Sequence, residues 1–315
     1  MNRYKFILVA ILVLAFLLRF YQLGKVPTGL NLDEVAIGYD AYSVLKTGKD
    51  QYGGGTPAYF RSHDDYKPPL LIYLAVPATA IFGETNFAVR FFSAVLGVLA
   101  VLMVYFAGKE IFYGEKGKAS GLLAAFLLTI SPWHLQYSRT AYEVGMQPFL
   151  PVSGIYFFLR ALRKGEWWAY LLSGIFFGLG IYLYTASRIF IPLLVLSLSL
   201  FYFKDVRANI KKFLIFAVVF FLFLLPTLYL FTTPAGQFRF KGTNIFQNPK
   251  PAIENQDFRN DDIALGDPFM GRLFHLGKLA YVQELLFGYL VHFRPDFLFL
   301  GREGPPGNYV PHVGL

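Results

Sequence analysis

The sequence predicts an all-α integral membrane protein: a bundle of about seven transmembrane helices, with further helices lying at the outer membrane surface. Three observations predict it. Of 315 residues, 55% are hydrophobic and 19% aromatic but only 16% charged, where a soluble domain carries roughly a quarter. Apolar runs of spanning length, about 17–25 residues, recur up to residue 231. The basic residues between them gather in short clusters on alternate connections, the pattern that sets orientation in a bilayer.

The first run, Phe6 to Leu18, follows Arg3 and Lys5 and precedes "RFYQLGK", without a small-x-small cleavage site. It reads as an uncleaved span over about 4–22 with a cytoplasmic N-terminus. Further spans are read at 88–108, 119–137, 146–162, 167–185, 189–203 and 211–231. Pro192 and Pro226 fall inside the last two, which a packed bundle tolerates. The stretch "PPLLIYLAVPATAIFG", 68–83, is short, opens on two prolines and contains Pro77. It reads as an interfacial or re-entrant helix.

Charge supports that count. With 68–83 kept out of the spans, four basic clusters face the cytoplasm: Arg3 and Lys5; Lys109, Lys116 and Lys118; Arg160, Arg163 and Lys164; Lys204, Arg207, Lys211 and Lys212. Counting it as a span would put the last three outside, against the positive-inside rule. The reading is a seven-span module, 1–231, whose external loop 23–87 carries interfacial helices at about 33–47 and 68–83. An extracytoplasmic region, 232–315, follows, rich in Pro, Gly, Asn and Asp. Its one candidate helix, 276–293, has Glu284 at its centre and is placed on the membrane surface.

Composition also excludes. With no cysteine there is no disulfide and no thiol nucleophile or ligand. The net charge of +9 lies in short loops rather than on a basic patch, so nucleic acid is not a partner.

On this topology the remaining ionisable residues converge on the outer face: Asp33, Glu34 and Asp40; His63, Asp64, Asp65 and Lys67; Arg139 and Glu143; Arg188. Each has an ordinary explanation. In "NLDEVAIGYDAYSVL", Asn31 or Asp33 caps a helix whose first-turn acids suit its dipole, and Val35, Tyr39, Tyr42 and Leu45 share one face of it. Lys67 of "HDDYKPPLL" is a snorkelling lysine, and the prolines after it force an extended approach. Arg139 and Glu143 of "YSRTAYE" are an i,i+4 pair of small worth. Arg188 of "YTASR" is a span anchor. His63 and His134 are loop histidines without metal-ligand spacing. Taken together, though, carboxylates and cations at one depth of one bundle point to a site at the outer membrane surface.

The ordered set resembles the glycosyltransferase C superfamily: a first span, "NLDE" opening an external helix, "YKPPL", then Arg and Glu in the next external loop. It is similar in particular to the protein O-mannosyltransferase and lipid A aminoarabinose transferase group, glycosyltransferase family 39. The resemblance covers about 1–231, and "KPPL", where mannosyltransferases generally carry His-Pro-Pro-Leu, leans toward the aminoarabinose side. It implies that a longer chain follows, with 232–315 the start of an incomplete C-terminal module. Its second-loop acid, an Asp in the aminoarabinose group, is placed at Glu143 by position.

The resemblance implies a multi-pass enzyme of the prokaryotic plasma membrane. It would move a sugar from a polyprenyl-phosphate donor to a hydroxyl of a protein, lipid or glycan acceptor outside the cytoplasm. Asp33 is expected as the base that takes the hydroxyl proton, with Glu34 orienting it or raising its proton affinity. Lys67, Arg139 and Arg188 are expected to hold the donor phosphate. Tyr66, Glu143, His63 and Asp65 are expected to support them. A single displacement would invert the anomeric centre. No cofactor is called for; Asp64 and Asp65 are a minor candidate for a divalent ion. The rival readings are a lipid or solute transporter, and an oligosaccharide ligase or polymerase using a diphosphate-linked donor.

Overall fold

The computed structural model describes residues 3–55, 59–62, 65–233, 237, 253, 256–257, 260–261, 264, 277–291 and 293–294. The chain divides into two compact units, Met1–Gln237 and Phe238–Leu315. In the second, the described helix is Gly277–Val291 (α13).

The first unit is helical apart from one small hairpin. Its long helices are α1 (Arg3–Phe20), α4 (Asn86–Ile111), α5 (Gly114–Ile130), α8 (Phe149–Lys164), α9 (Trp167–Ile181), α10 (Ser187–Phe201) and α12 (Ile210–Leu230). Between them lie α2 (Leu32–Thr47), α3 (Pro69–Phe82), α6 (Pro132–Ser138), α7 (Glu143–Met146) and α11 (Phe203–Ala208). Strands β1 (Phe60–Ser62) and β2 (Asp65–Lys67) pair antiparallel, with Phe60 opposite Lys67 and Arg61 opposite Tyr66.

Two of these helices, α4 and α12, are long and apolar enough by themselves to cross a membrane. At 1.5 Å per residue they measure about 39 and 31 Å against a hydrocarbon core of about 30 Å. The 15 residues of α9 and of α10 reach only about 22 Å. The outer faces of α1, α10 and α12 expose rows of large apolar side chains, among them Val9, Val13 and Leu17; Leu193, Leu196 and Leu200; Leu214, Val218, Leu222 and Leu225. Surfaces of that kind are unsuited to water.

Three buried clusters hold the unit together. One joins α8, α9, α10 and α12 around Phe158, Tyr170, Phe177 and Phe216. Another joins α1, α4 and α5 around Ala15, Val101 and Ala125. In the third, Ile37 and Ala41 of α2, Phe60 of β1 and Leu71, Ile72 and Ala75 of α3 pack on Val89, Ala141, Met146 and Leu183. The interfacial helix expected at 33–47 is α2, and the face read as apolar is turned outward: Val35, Tyr39 and Leu45 are exposed. It stops at Gly48, whose φ of +68° needs the freedom of glycine and whose N–H bonds Val44 O. The stretch 68–83 is α3, with Pro69 in its first turn and Pro77 inside.

Close packing of α4 on α1 needs a second glycine. A Cβ on Gly97 would lie 2.5 Å from Ser138 Cβ and 3.0 Å from Arg19 Nε. That space admits the fully buried Arg19 side chain. Its guanidinium binds Ala15 O, Leu128 O and Thr129 O, and lies 2.8 Å from His134 Nδ1.

Candidate active site

The start of α2 builds the site. Asn31 is its N-cap: the side chain accepts from Glu34 N at 3.0 Å, while Glu34 Oε2 accepts from Asn31 N at 3.1 Å. This reciprocal capping box fixes the first helical turn and so the direction of Asp33. Asp33 is half exposed and Lys67 nearly buried, and Lys67 Nζ donates to Asp33 Oδ1 at 2.6 Å. The sequence-adjacent carboxylates therefore part company, one facing the open side of the site and the other the core.

Glu34 is the core-facing one. It is 1% exposed and meets Arg90, itself fully buried, in a two-pronged contact: Nε to Oε1 at 2.7 Å and Nη2 to Oε2 at 3.0 Å. Ala141 N–H donates to Oε1 at 3.0 Å. Arg90 spends its remaining donors on Leu23 O, Pro27 O and Gly29 O. Glu34 thus clasps α2, α4, the 23–29 turn and the 139–142 turn together. An arginine this close makes Glu34 the anchor of the α2 start, on the core side of the site.

Arg139 is placed otherwise than expected. It follows the last residue of α6, and Glu143 opens α7, so the two do not share a helix as an i,i+4 pair. Its Nη1 binds Leu18 O at 2.6 Å and Arg19 O at 3.4 Å; Nη2 binds Tyr21 O at 2.8 Å and Val26 O at 2.9 Å. Here the guanidinium closes the carbonyl end of α1, a favourable place for a cation. Burial, and then the charge of Arg90, draw its pKa down.

Arg188 packs at the start of the hairpin that carries Lys67. Its guanidinium stacks 4.4 Å over the Tyr59 ring, and Tyr59 precedes Phe60, the partner of Lys67 in the strand pairing. Leu70 N–H donates to Tyr182 O at 3.2 Å, tying the start of α3 to the end of α9. Tyr142 faces the same side: burial raises its hydroxyl pKa, with the charges of Asp33 and Glu34 adding to it. Tyr66 is half buried, its backbone in register with Arg61. Glu143 lies at the start of α7. His63, Asp64 and the side chain of Asp65 lie outside the described residues. Among the described residues no group of three or more His, Asp or Glu is arranged to hold a metal ion.

Two residues central to this architecture carry no expected role from sequence, Arg90 and Arg19. The signal for Arg90 is present: an arginine one turn into an otherwise apolar helix stays only if buried with a partner.

Comparison with known proteins now bears on this geometry. The model of the dolichyl-phosphate-mannose-protein mannosyltransferase family matches residues 66–230, just over half of the chain, from β2 to the end of α12. The chain belongs to this family. A protein of Aquifex aeolicus (strain VF5) is 31% identical over 175 residues, covering 54% of this chain and 33% of its own length. The Bacillus subtilis (strain 168) protein named "Putative mannosyltransferase YkcB" is 26% identical over 147 residues, covering 46% and 19%. The chain therefore spans a third or less of the curated relatives it matches.

Among solved structures, the oligosaccharyltransferase AglB of Archaeoglobus fulgidus, in complex with an inhibitory peptide and a dolichol-phosphate, superposes with a TM-score of 0.54 at 22% identity. The match covers 94% of this chain and 38% of that one. An Archaeoglobus fulgidus oligosaccharyltransferase tethered to an acceptor peptide gives 0.55 at 20% identity, over 94% of this chain and 38% of that one. At such identities the likeness is one of fold, the glycosyltransferase C fold that "NLDE" and "YKPPL" suggested.

Proposed function

We propose that this chain is the catalytic module of a membrane glycosyltransferase that takes a sugar from a polyprenyl-phosphate donor. It would pass the sugar to an acceptor hydroxyl outside the cytoplasm. The observation that carries the reading is the 2.6 Å contact between Asp33, half exposed, and Lys67, nearly buried. The first is an acid open to an acceptor; the second is a cation fixed at the mouth of the bundle beside it. Membership in the mannosyltransferase family supports the reaction class.

In this reading α1, α4, α5, α8, α9, α10 and α12 are the seven spans, with the N-terminus inside and α2, α3 and the hairpin at the outer surface. The short helices cross by thinning the bilayer locally or by extension through their end turns.

The chemistry is a single displacement. The acceptor oxygen attacks the anomeric carbon while Asp33 takes the hydroxyl proton, since a neutral hydroxyl is a poor nucleophile. The bond from that carbon to the phosphate oxygen breaks, and its electron pair leaves with the lipid phosphate. Lys67, with Arg188 stacked on Tyr59 at the start of the same hairpin, stabilises the charge that grows there. One base and one inline leaving group invert the configuration. Arg139, fully engaged on carbonyl groups, is left out of the phosphate site, and Glu34 serves as the anchor that aims Asp33.

The test supplies membranes carrying the protein with donors linked through a monophosphate or a diphosphate, bearing mannose, glucose or 4-amino-4-deoxyarabinose. Transfer from a monophosphate donor, lost in Lys67→Met, supports the reading. Transfer from diphosphate carriers alone, or an unchanged rate in Lys67→Met, contradicts it.

A further inference from the structure

Between α1 and α5 the surface carries a groove of about 680 Å³. On α1 its lining recurs at residues 3, 7, 10 and 14, and on α5 at 119, 122, 123 and 126, spacings that keep each set on one helix face. Ala10 and Ala119 stand exposed on that lining, and their small side chains leave the space that Leu14, Leu123 and Phe126, also exposed, border.

Length and charge decide what fits it. From Arg3 to Leu14, α1 rises about 16 Å, close to half of a hydrocarbon core of about 30 Å. A packed helix would need a seam along the whole span, whereas a single acyl chain needs one leaflet. The mouth of the groove at Arg3 is cationic. Lys118 Nζ lies 5.3 Å over the Tyr4 ring, and its charge is met by Glu115 Oε1 at 2.5 Å. Arg3 is exposed and forms no ion pair among the described residues, and Lys5 is exposed in the same turn. An apolar groove one leaflet long that ends in an uncompensated guanidinium complements a lipid with an anionic headgroup.

We propose that the α1–α5 groove holds an anionic phospholipid of the leaflet in which α1 begins. One acyl chain lies over Ala10 and Ala119, and the phosphate sits on Arg3. In the proposed orientation this is the cytoplasmic leaflet, the one that carries anionic lipid. Arg3 stands at the opposite end of α1 from the loop that leads to Asp33, so the phospholipid does not compete with the sugar donor. The inference rests on the reading of α1 and α5 as spans and is independent of Asp33 as base.

The test is native mass spectrometry of the full chain in detergent, with phosphatidylglycerol, phosphatidylethanolamine or phosphatidylcholine of identical acyl chains. One phosphatidylglycerol binds at least fivefold more tightly than either of the others. Arg3→Gln lowers that affinity about fivefold, the weight of one cation beside an anionic lipid. Arg207→Gln, which removes an exposed cation of α11 outside the groove, leaves it unchanged. Ala10→Phe and Ala119→Phe also lower it, by filling the open space.

Equal affinity for the three lipids, or the same loss in Arg207→Gln as in Arg3→Gln, marks an unspecific lipid annulus and overturns the proposal. So does phosphatidylglycerol binding that is unchanged in both alanine variants. A wild-type dimer that these variants dissolve places a second copy in the groove and overturns it as well. If Arg3→Gln does not reach the membrane, the alanine variants still decide. None of these failures touches the transferase reading, on which Lys67→Met reports separately.

Discussion

Removing the carboxylate charge of Glu34, by Glu34→Gln, should destabilise the protein sharply, and the size follows from its surroundings. The pair with Arg90 is almost wholly buried, 0% and 1% exposed at the two side chains. Uncompensating one member of such a pair costs about 3–5 kcal/mol. Glutamine can keep one acceptor oxygen but presents an amide where Oε2 accepted from Asn31 and Arg90, so the half of the capping box made by this side chain is weakened as well, while the Asn31 side chain still accepts from the residue-34 N–H. For a chain of this size each kcal/mol lowers the melting midpoint by roughly 2–4 °C. The assay is thermal unfolding in detergent, read by tryptophan fluorescence, with a drop of about 6 °C or more expected. Glu34→Gln combined with Arg90→Met should recover much of the loss, since the stranded charge is then gone. A Glu34→Gln protein that melts with wild type would refute the clasp, and with it the claim that the two adjacent acids do different work.

The other predictions concern neighbouring contacts. Arg139→Met should cost about 1–3 kcal/mol, because four carbonyls, two in the last turn of α1 and two in the chain after it, lose their donor. It should leave the binding of sugar-free polyprenyl phosphate unchanged; a tenfold weaker affinity, measured by native mass spectrometry, would return Arg139 to the phosphate site. Gly97→Ala should lose about 1–3 kcal/mol through its collision with Ser138 and Arg19, detectable as a lower melting point. His134 is held neutral by burial and by the Arg19 charge, its pKa lowered from 6.5 to about 4. A depressed histidine contributes stability that is complete above its unfolded pKa and is lost as pH falls from about 6.5 toward 4. His134→Asn should flatten the melting-temperature profile over that interval.

Much of this molecule was legible in its residues, and the exceptions have physical causes. The helix at 32–47 was readable because capping and face pattern are local: Asn31, Asp33 and Glu34 start it, Gly48 ends it, and Val35, Tyr39 and Leu45 recur on one side. Asp33 and Lys67 were singled out independently and stand in contact, 34 residues apart. What could not be read was the partner of Glu34. Arg90 lies 56 residues away within an apolar helix, and no local period announces such a contact. Arg139 misled for the opposite reason: its spacing from Glu143 suits a continuous helix, whereas the chain breaks between α6 and α7 and turns the guanidinium onto α1. Arg19 closes the first apolar run and resembles an interfacial anchor, yet Gly97 makes room for it inside the bundle.

The most direct test of the account is turnover by Asp33→Asn with monophosphate-linked donor at saturation, on protein whose melting temperature matches wild type. The account predicts that transfer disappears while sugar-free polyprenyl phosphate still binds. Transfer at the wild-type rate would contradict it.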